Sequence, residues 1–153
     1  MERFLVVRTK YELLRVKPEG ILYFEASRVR CRMLMEGGIQ FTLALNIGKI
    51  EEILDRQLQE EERGQLVRVG KSHIINKRHV LQINVPKQRL LLLDKGKPRE
   101  LFVSKEPLKV FKEQLEQETG TTREIRKEKA LRVQGSQKGE PEGDLQQKKG
   151  KEE

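Results

Sequence analysis

Leu66-Val67-Arg68-Val69-Gly70-Lys71-Ser72-His73-Ile74-Ile75-Asn76-Lys77-Arg78-His79-Val80-Leu81-Gln82-Ile83 is the stretch whose reading decides the fold. Apolar and polar residues alternate up to Val69, the pattern breaks at Gly70, and it resumes with the apolar pair Ile74-Ile75. A polar knot, Asn76-Lys77-Arg78-His79, precedes a second apolar run from Val80. Alternation on both sides of a glycine predicts two extended segments joined through a compact turn, with Arg68, Lys71, Lys77 and Arg78 lifted off the core. Four cations in eleven residues, with no acid among them, suit an anionic partner, although a basic turn is more often simply solvated.

Upstream, Phe4 to Val7 and Tyr11 to Val16 read as short β segments, and Pro18-Glu19-Gly20 is a turn signal. Ile21-Leu22-Tyr23-Phe24 is almost wholly apolar and rich in strand formers. In Arg28-Val29-Arg30-Cys31-Arg32-Met33 the alternation is strict, which points Val29, Cys31 and Met33 one way and the three arginines the other. Glu36-Gly37-Gly38 closes a hairpin onto Ile39 to Leu45. Asn46 is placed to cap a helix whose stripe is Ile47, Ile50, Ile53, Leu54 and Leu58, with Glu60-Glu61-Glu62 as its frayed end.

Downstream, Val80 to Val85, Arg89 to Asp94 and Glu100 to Ser104 are three further strands, separated by Pro86-Lys87-Gln88 and Lys95-Gly96-Lys97-Pro98. Pro107 suits the first turn of a last helix with Leu108, Phe111 and Leu115 on its apolar stripe. From Thr119 the composition turns to Gly, Gln, Lys and Glu without apolar periodicity. The expected organisation is therefore a folded domain over residues 1–118 and a disordered charged tail over 119–153, with at most a nascent helix near 123–132.

The chain has 153 residues and a formal net charge of +8. From Gln117 onward there are nine Lys/Arg and eight Asp/Glu, so the preceding 116 residues carry 23 and 16, a net of +7. The basicity thus belongs to the folded part, as polyanion binding requires. A lone cysteine, Cys31, rules out an internal disulfide and fits a reducing compartment. The first eight residues hold too short an apolar run for a signal peptide, and no stretch approaches the ~20 residues of a membrane span. The expected location is cytoplasmic.

Enzyme chemistry finds little support. Val69-Gly70-Lys71-Ser72 resembles the end of a phosphate loop, but Gly64 stands one residue too far upstream and β-branched residues follow. His73, His79 and Cys31 are too few ligands for a closed zinc site. Nothing near Cys31 supplies an oxyanion loop, so a half-buried strand cysteine is the simpler reading. The expectation is a non-enzyme that needs no cofactor.

The opening stretch resembles the signature of the LytTR DNA-binding domain, the output module of LytR/AlgR/AgrA-type bacterial response regulators. That pattern is Arg, any residue, His, a polar residue, Ser, three apolar or aromatic residues and Asn. Here it is Arg68-Val69-Gly70-Lys71-Ser72-His73-Ile74-Ile75-Asn76, then Arg78, His79 and Val80. Ile21-Leu22-Tyr23-Phe24-Glu25-Ala26 is similar to the family's opening, and Val103-Ser104-Lys105 to its closing step. The resemblance covers Phe4 to Leu115. Gly70 stands where a His is common and His73 where an aromatic or aliphatic is common, so the base preference of other members does not carry over.

The resemblance implies a mostly β, elongated fold of about ten short strands in small antiparallel sheets, with one mid-chain and one C-terminal helix. It implies a transcription regulator that inserts basic loops, not a recognition helix, into successive major grooves of double-stranded DNA. Three regions would touch DNA: Arg28, Arg30 and Cys31; Arg68, Lys71 and Ser72; and Ser104, Lys105 and Glu106 with Lys109 on the following turn. Arg and Lys donate to guanine or phosphate, and Ser hydroxyls hold phosphate oxygens. Glu106 is better suited to capping the last helix, and Asn76 to fixing a turn through its own backbone.

No receiver domain precedes this segment in the sequence, so the expectation is a stand-alone regulator controlled by abundance, a partner protein or the tail. A monomer in solution that occupies paired repeat sites as two copies is expected, since no heptad or spare apolar stripe remains after core assignment. Two alternatives stay open: a protein-interaction module with a basic face, and an RNA binder. The latter would need exposed aromatics, whereas every aromatic here sits in an apolar run.

Overall fold

A computed structural model describes residues 3–118. Residues up to Lys112 group into one compact unit and the remainder into a second, of which only 113–118 are described. The expectations for residues 119–153 lie outside the described residues.

Ten short strands form three antiparallel sheets, so the structure is mostly β. β1 (Leu5–Arg8) and β2 (Leu13–Val16) are a hairpin. A five-stranded sheet has the order β5-β4-β3-β7-β6, from β3 (Ile21–Ser27), β4 (Arg30–Met35), β5 (Ile39–Leu43), β6 (Leu66–Val69) and β7 (His73–Asn76). β8 (Val80–Asn84), β9 (Arg89–Asp94) and β10 (Lys97–Phe102) make a three-stranded meander. The helices are α1 (Ile47–Gln57), α2 (Glu60–Gln65) and α3 (Lys105–Glu118).

β3 is the central strand, and its apolar run follows from that place. Ile21, Leu22, Tyr23 and Phe24 are all buried, because both faces of a central strand are covered. Phe24 belongs to the main core with Cys31, Met33, Ile74, the α1 stripe Ile47, Ile50 and Leu54, and Leu5 and Val7 of the hairpin. Asn46 caps α1 as its position predicts, its Oδ1 accepting the Lys49 amide at 2.8 Å. On α3, Leu108 and Phe111 are buried.

The free edge of β1 is covered by a side chain. Gln57 Oε1 accepts the Val6 amide at 2.8 Å while its Nε2 donates to the Val6 carbonyl at 2.7 Å, imitating a neighbouring strand. Asn76 stitches the junction after the signature in a related way. Only 1% exposed, it donates through Nδ2 to the Ile21 carbonyl at 2.8 Å and accepts the Arg78 amide at 3.1 Å. Its reading as a structural amide therefore holds. Asp94, equally buried, joins the meander to the β4–β5 turn by accepting from the Gly37 amide at 2.7 Å and Arg99 Nε at 2.8 Å. Burial opposes ionisation of Asp94, but these two donors outweigh it and hold the carboxyl below its ordinary range.

Three expectations need correction. Arg28 and Val29 are not strand residues: they form the two-residue turn between β3 and β4, with Ser27 paired to Arg30 and Val29 75% exposed. Unbroken alternation concealed that turn. The acidic run Glu60-Glu61-Glu62 opens α2 instead of fraying α1, since α1 ends at Gln57, Leu58 and Gln59 are extended, and the carboxylates suit a new N-terminus. The last turn of the meander is Lys95-Gly96 alone, so β10 begins at Lys97 and ends at Phe102.

Candidate nucleic-acid interface

The loop Gly70-Lys71-Ser72 joins β6 to β7 and is held from several sides. Arg68 reaches along it, donating through Nε to the Gly70 carbonyl at 3.1 Å and through Nη2 to the Lys71 carbonyl at 3.0 Å. Its remaining Nη1 pairs with Glu51 of α1 at 2.5 Å. The Ser72 carbonyl accepts the Ala26 amide at 2.7 Å, tying the loop to the end of β3. Gly70, at φ +65°, lies against Pro107 of α3, where an added Cβ would stand 2.9 Å from Pro107 Cγ. Only a glycine meets both conditions.

With the loop fixed, Lys71 and Ser72 are exposed. Arg68 is not free for a partner: it is half-buried and committed to Glu51 and two carbonyls. The geometry gives it a positioning role. Beside the loop, the β3–β4 hairpin exposes Arg28 in its turn and Arg30 at the start of β4, with Arg28 at φ +59°, a strained conformation for a residue with a side chain. On the far side, Ser104, Lys105, Glu106 and Lys109 are exposed at the start of α3. The Ser104 carbonyl accepts the Leu108 amide at 3.0 Å, and Glu106 lies in the helix's first turn, where an anion is favoured.

Cys31 does not join this surface. It is fully buried in the main core, where burial pushes its thiol up to about 11 against the lowering field of Arg68. Its placement among the DNA contacts is corrected accordingly: Cys31 pairs with Ala26 and Leu43 on the neighbouring strands, with its side chain on the core face.

Two shallow clefts connect the three regions. One is lined by Ser27, Arg30, Arg32 and Thr42, the other by Gly70, Lys71, Ser72, Phe102, Ser104 and Pro107, and both include Glu25 and Ala26. Glu25 was missed in the sequence. It sits opposite His73 on β7 and Arg32 on β4, accepting His73 Nε2 at 3.1 Å and pairing with Arg32. This removes Arg32 from the free cations. Arg28, Arg30, Lys71, Lys105 and Lys109 make no side-chain hydrogen bond or ion pair among the described residues, whereas Arg32, Arg63, Arg68 and Arg99 each pair with an acid. Exposed, unpaired cations from three regions around these two adjoining clefts form a surface able to meet a polyanion.

The sequence matches the family model of the LytTr DNA-binding domain over residues 11–116. This chain belongs to the LytTR DNA-binding domain family. Membership implies DNA binding as a transcriptional regulator, in a family that is typically non-catalytic. Among solved structures, the LytTr DNA-binding domain of a Bacillus cereus protein described as a methyl-accepting/DNA response regulator is similar, with a TM-score of 0.51 and 20% identity. The match covers 75% of this chain and 98% of that one. At that identity the likeness speaks for the LytTR fold. No curated protein matches the chain. Among the described residues, no helix is long and apolar enough to cross a membrane.

Proposed function

We propose that this LytTR domain is a sequence-specific regulator that binds double-stranded DNA by placing its basic loops in successive major grooves. The observation that carries the reading is where the exposed, unpaired cations Arg28, Arg30, Lys71, Lys105 and Lys109 stand, around the two clefts that meet at Glu25 and Ala26. Arg32, Arg63, Arg68 and Arg99 are instead spent on Glu25, Asp55, Glu51 and Asp94.

Lys71, on the braced loop, contacts a base edge; Ser72 and Ser104 hold phosphate oxygens through their hydroxyls. Lys105 lies at the mouth of the second groove and Lys109, one turn on, meets phosphate. Arg30, at the start of β4, contacts groove or backbone, with Arg28 beside it in the turn. Arg68 serves by holding the Lys71 loop. The protein is a monomer in solution and occupies paired sites as two copies; a stable dimer without DNA in sedimentation would contradict this.

The aromatic argument against an RNA partner weakens in one respect, since Tyr11 and Phe102 are exposed at 85% and 65%. Binding to duplex DNA against single-stranded RNA, over a salt series, tests the reading. Tighter, sequence-dependent duplex binding is expected, and equal affinity for both would overturn it.

A further inference from the structure

Several large apolar side chains are exposed among the described residues, Tyr11 and Val29 more than Phe102, but of these Phe102 alone lines a cleft of the interface. At 65% exposure it leaves a large apolar area in water, on a domain that buries Phe24 and Phe111 almost completely. It is the last residue of β10, directly before Val103-Ser104-Lys105. Its neighbours on either side point inward: Leu101 is 5% and Val103 1% exposed, and the Val103 amide donates to the Gln88 carbonyl at 3.1 Å. The backbone beneath the ring is thus fixed, and strand alternation directs the ring outward. Opposite it in register stands Arg89.

Phe102 also lines the cleft that holds Lys71, Ser72 and Ser104. The two walls of that cleft approach closely where Gly70 lies against Pro107. A ring on a rigid strand end, a few residues from two cations, sits where a groove floor would approach. The one sizeable apolar group that the major groove offers to such a ring is the C5-methyl of thymine, beside an edge dominated by donors and acceptors.

We propose that Phe102 is a specificity-determining residue whose ring covers a thymine methyl in the groove entered by the Lys71 loop. The inference rests on the duplex-DNA reading above and adds a base preference to it. Burying one methyl group contributes about 0.8 kcal/mol, which corresponds to about a fourfold change in affinity.

The test uses the full chain and duplexes selected from a random library by the unaltered protein. Each thymine of the selected site is replaced singly by deoxyuridine, which removes only the methyl. At one position the replacement should weaken the unaltered protein about fourfold, while Phe102→Ala should bind both duplexes equally and at the weaker level. Phe102→Leu, which keeps an apolar side chain, should retain part of the discrimination. Thermal melts check that both variants fold, as expected for an exposed position. If Phe102→Ala distinguishes thymine from deoxyuridine as well as the unaltered protein does, or if no single methyl matters, the proposal fails. A loss confined to single-stranded RNA binding would point to base stacking and overturn it as well. Lys71→Ala on the same duplexes separates the two claims: normal affinity there would remove the loop reading itself, whereas weakened affinity with unchanged methyl discrimination in Phe102→Ala would remove the present inference alone.

Discussion

The loop between β6 and β7 and the turn between β3 and β4 are neighbours, joined by the Ala26–Ser72 hydrogen bond, and both expose cations. They are built in opposite ways. The first is held by Arg68 at two carbonyls, by Ala26 and by Pro107. The second has only two residues, Arg28 and Val29, with no side-chain bond from either among the described residues. A side chain on the braced loop is held at a fixed height and angle, the condition that direct readout of a base edge would require. A side chain on the bare turn lacks such a brace, and contact with phosphate would not need one. Arg28 shares its left-handed backbone with two other turn residues, Gln88 and Lys95, so strain there is open to relief by glycine.

A brace outside both regions sets the scale for breaking that contrast. Asp94→Ala orphans the Gly37 amide and the Arg99 guanidinium, and should cost about 2 kcal/mol in a denaturant melt at neutral pH while leaving base preference untouched. Because the folded Asp94 carboxyl is held below its unfolded value of about 3.9, its contribution is complete above that pH and is lost as pH falls through the folded value. The stability difference between the two proteins should therefore shrink only in acid. A difference that instead grows toward acid would contradict the assigned ionisation.

Arg68→Ala strikes the braced loop. It should destabilise the domain by about 1–2 kcal/mol, because Glu51 and two carbonyls lose their donor, and should blur sequence preference. An unchanged melt with a salt slope reduced by one unit would show that Arg68 is a phosphate contact and not a brace. Arg28→Gly strikes the bare turn in the reverse sense. Glycine relieves the positive φ, so stability should hold or rise by up to about 1 kcal/mol while duplex affinity falls. Lower stability in that variant would mean that the turn depends on the Arg28 side chain, and the contrast would disappear.

The strands, the Asn46 cap and the structural role of Asn76 were legible because each rests on residues close in sequence: period two, a capping side chain, an amide beside its own turn. The errors share a different origin. Arg28 and Val29 continue an alternating pattern through a turn that lacks Gly, Asn or Asp, so nothing local marks it. Glu25 finds Arg32 and His73, Arg68 finds Glu51, and Asp94 finds Gly37 only after distant segments pair. Charge counts cannot separate a cation spent inside the fold from one left outside it. Cys31 shows the same limit, as an alternating strand residue whose face is decided by the sheets packed around it. The exposed Phe102 had a signal that was passed over: it follows Leu101 and precedes Val103, so alternation alone turns it outward.

The central claim is that the braced loop reads bases while the cations around it hold phosphate. Binding of Lys71→Ala, Arg30→Ala and Lys109→Ala to a duplex site library at two salt concentrations tests it most directly. Lys71→Ala should cost about 1–3 kcal/mol and relax preference at one position. Lys109→Ala should weaken all sequences alike and lower the salt slope by about one unit, with Arg30→Ala between the two. Small and identical effects for all three, with sequence preference intact, would contradict the account and leave only nonspecific electrostatics.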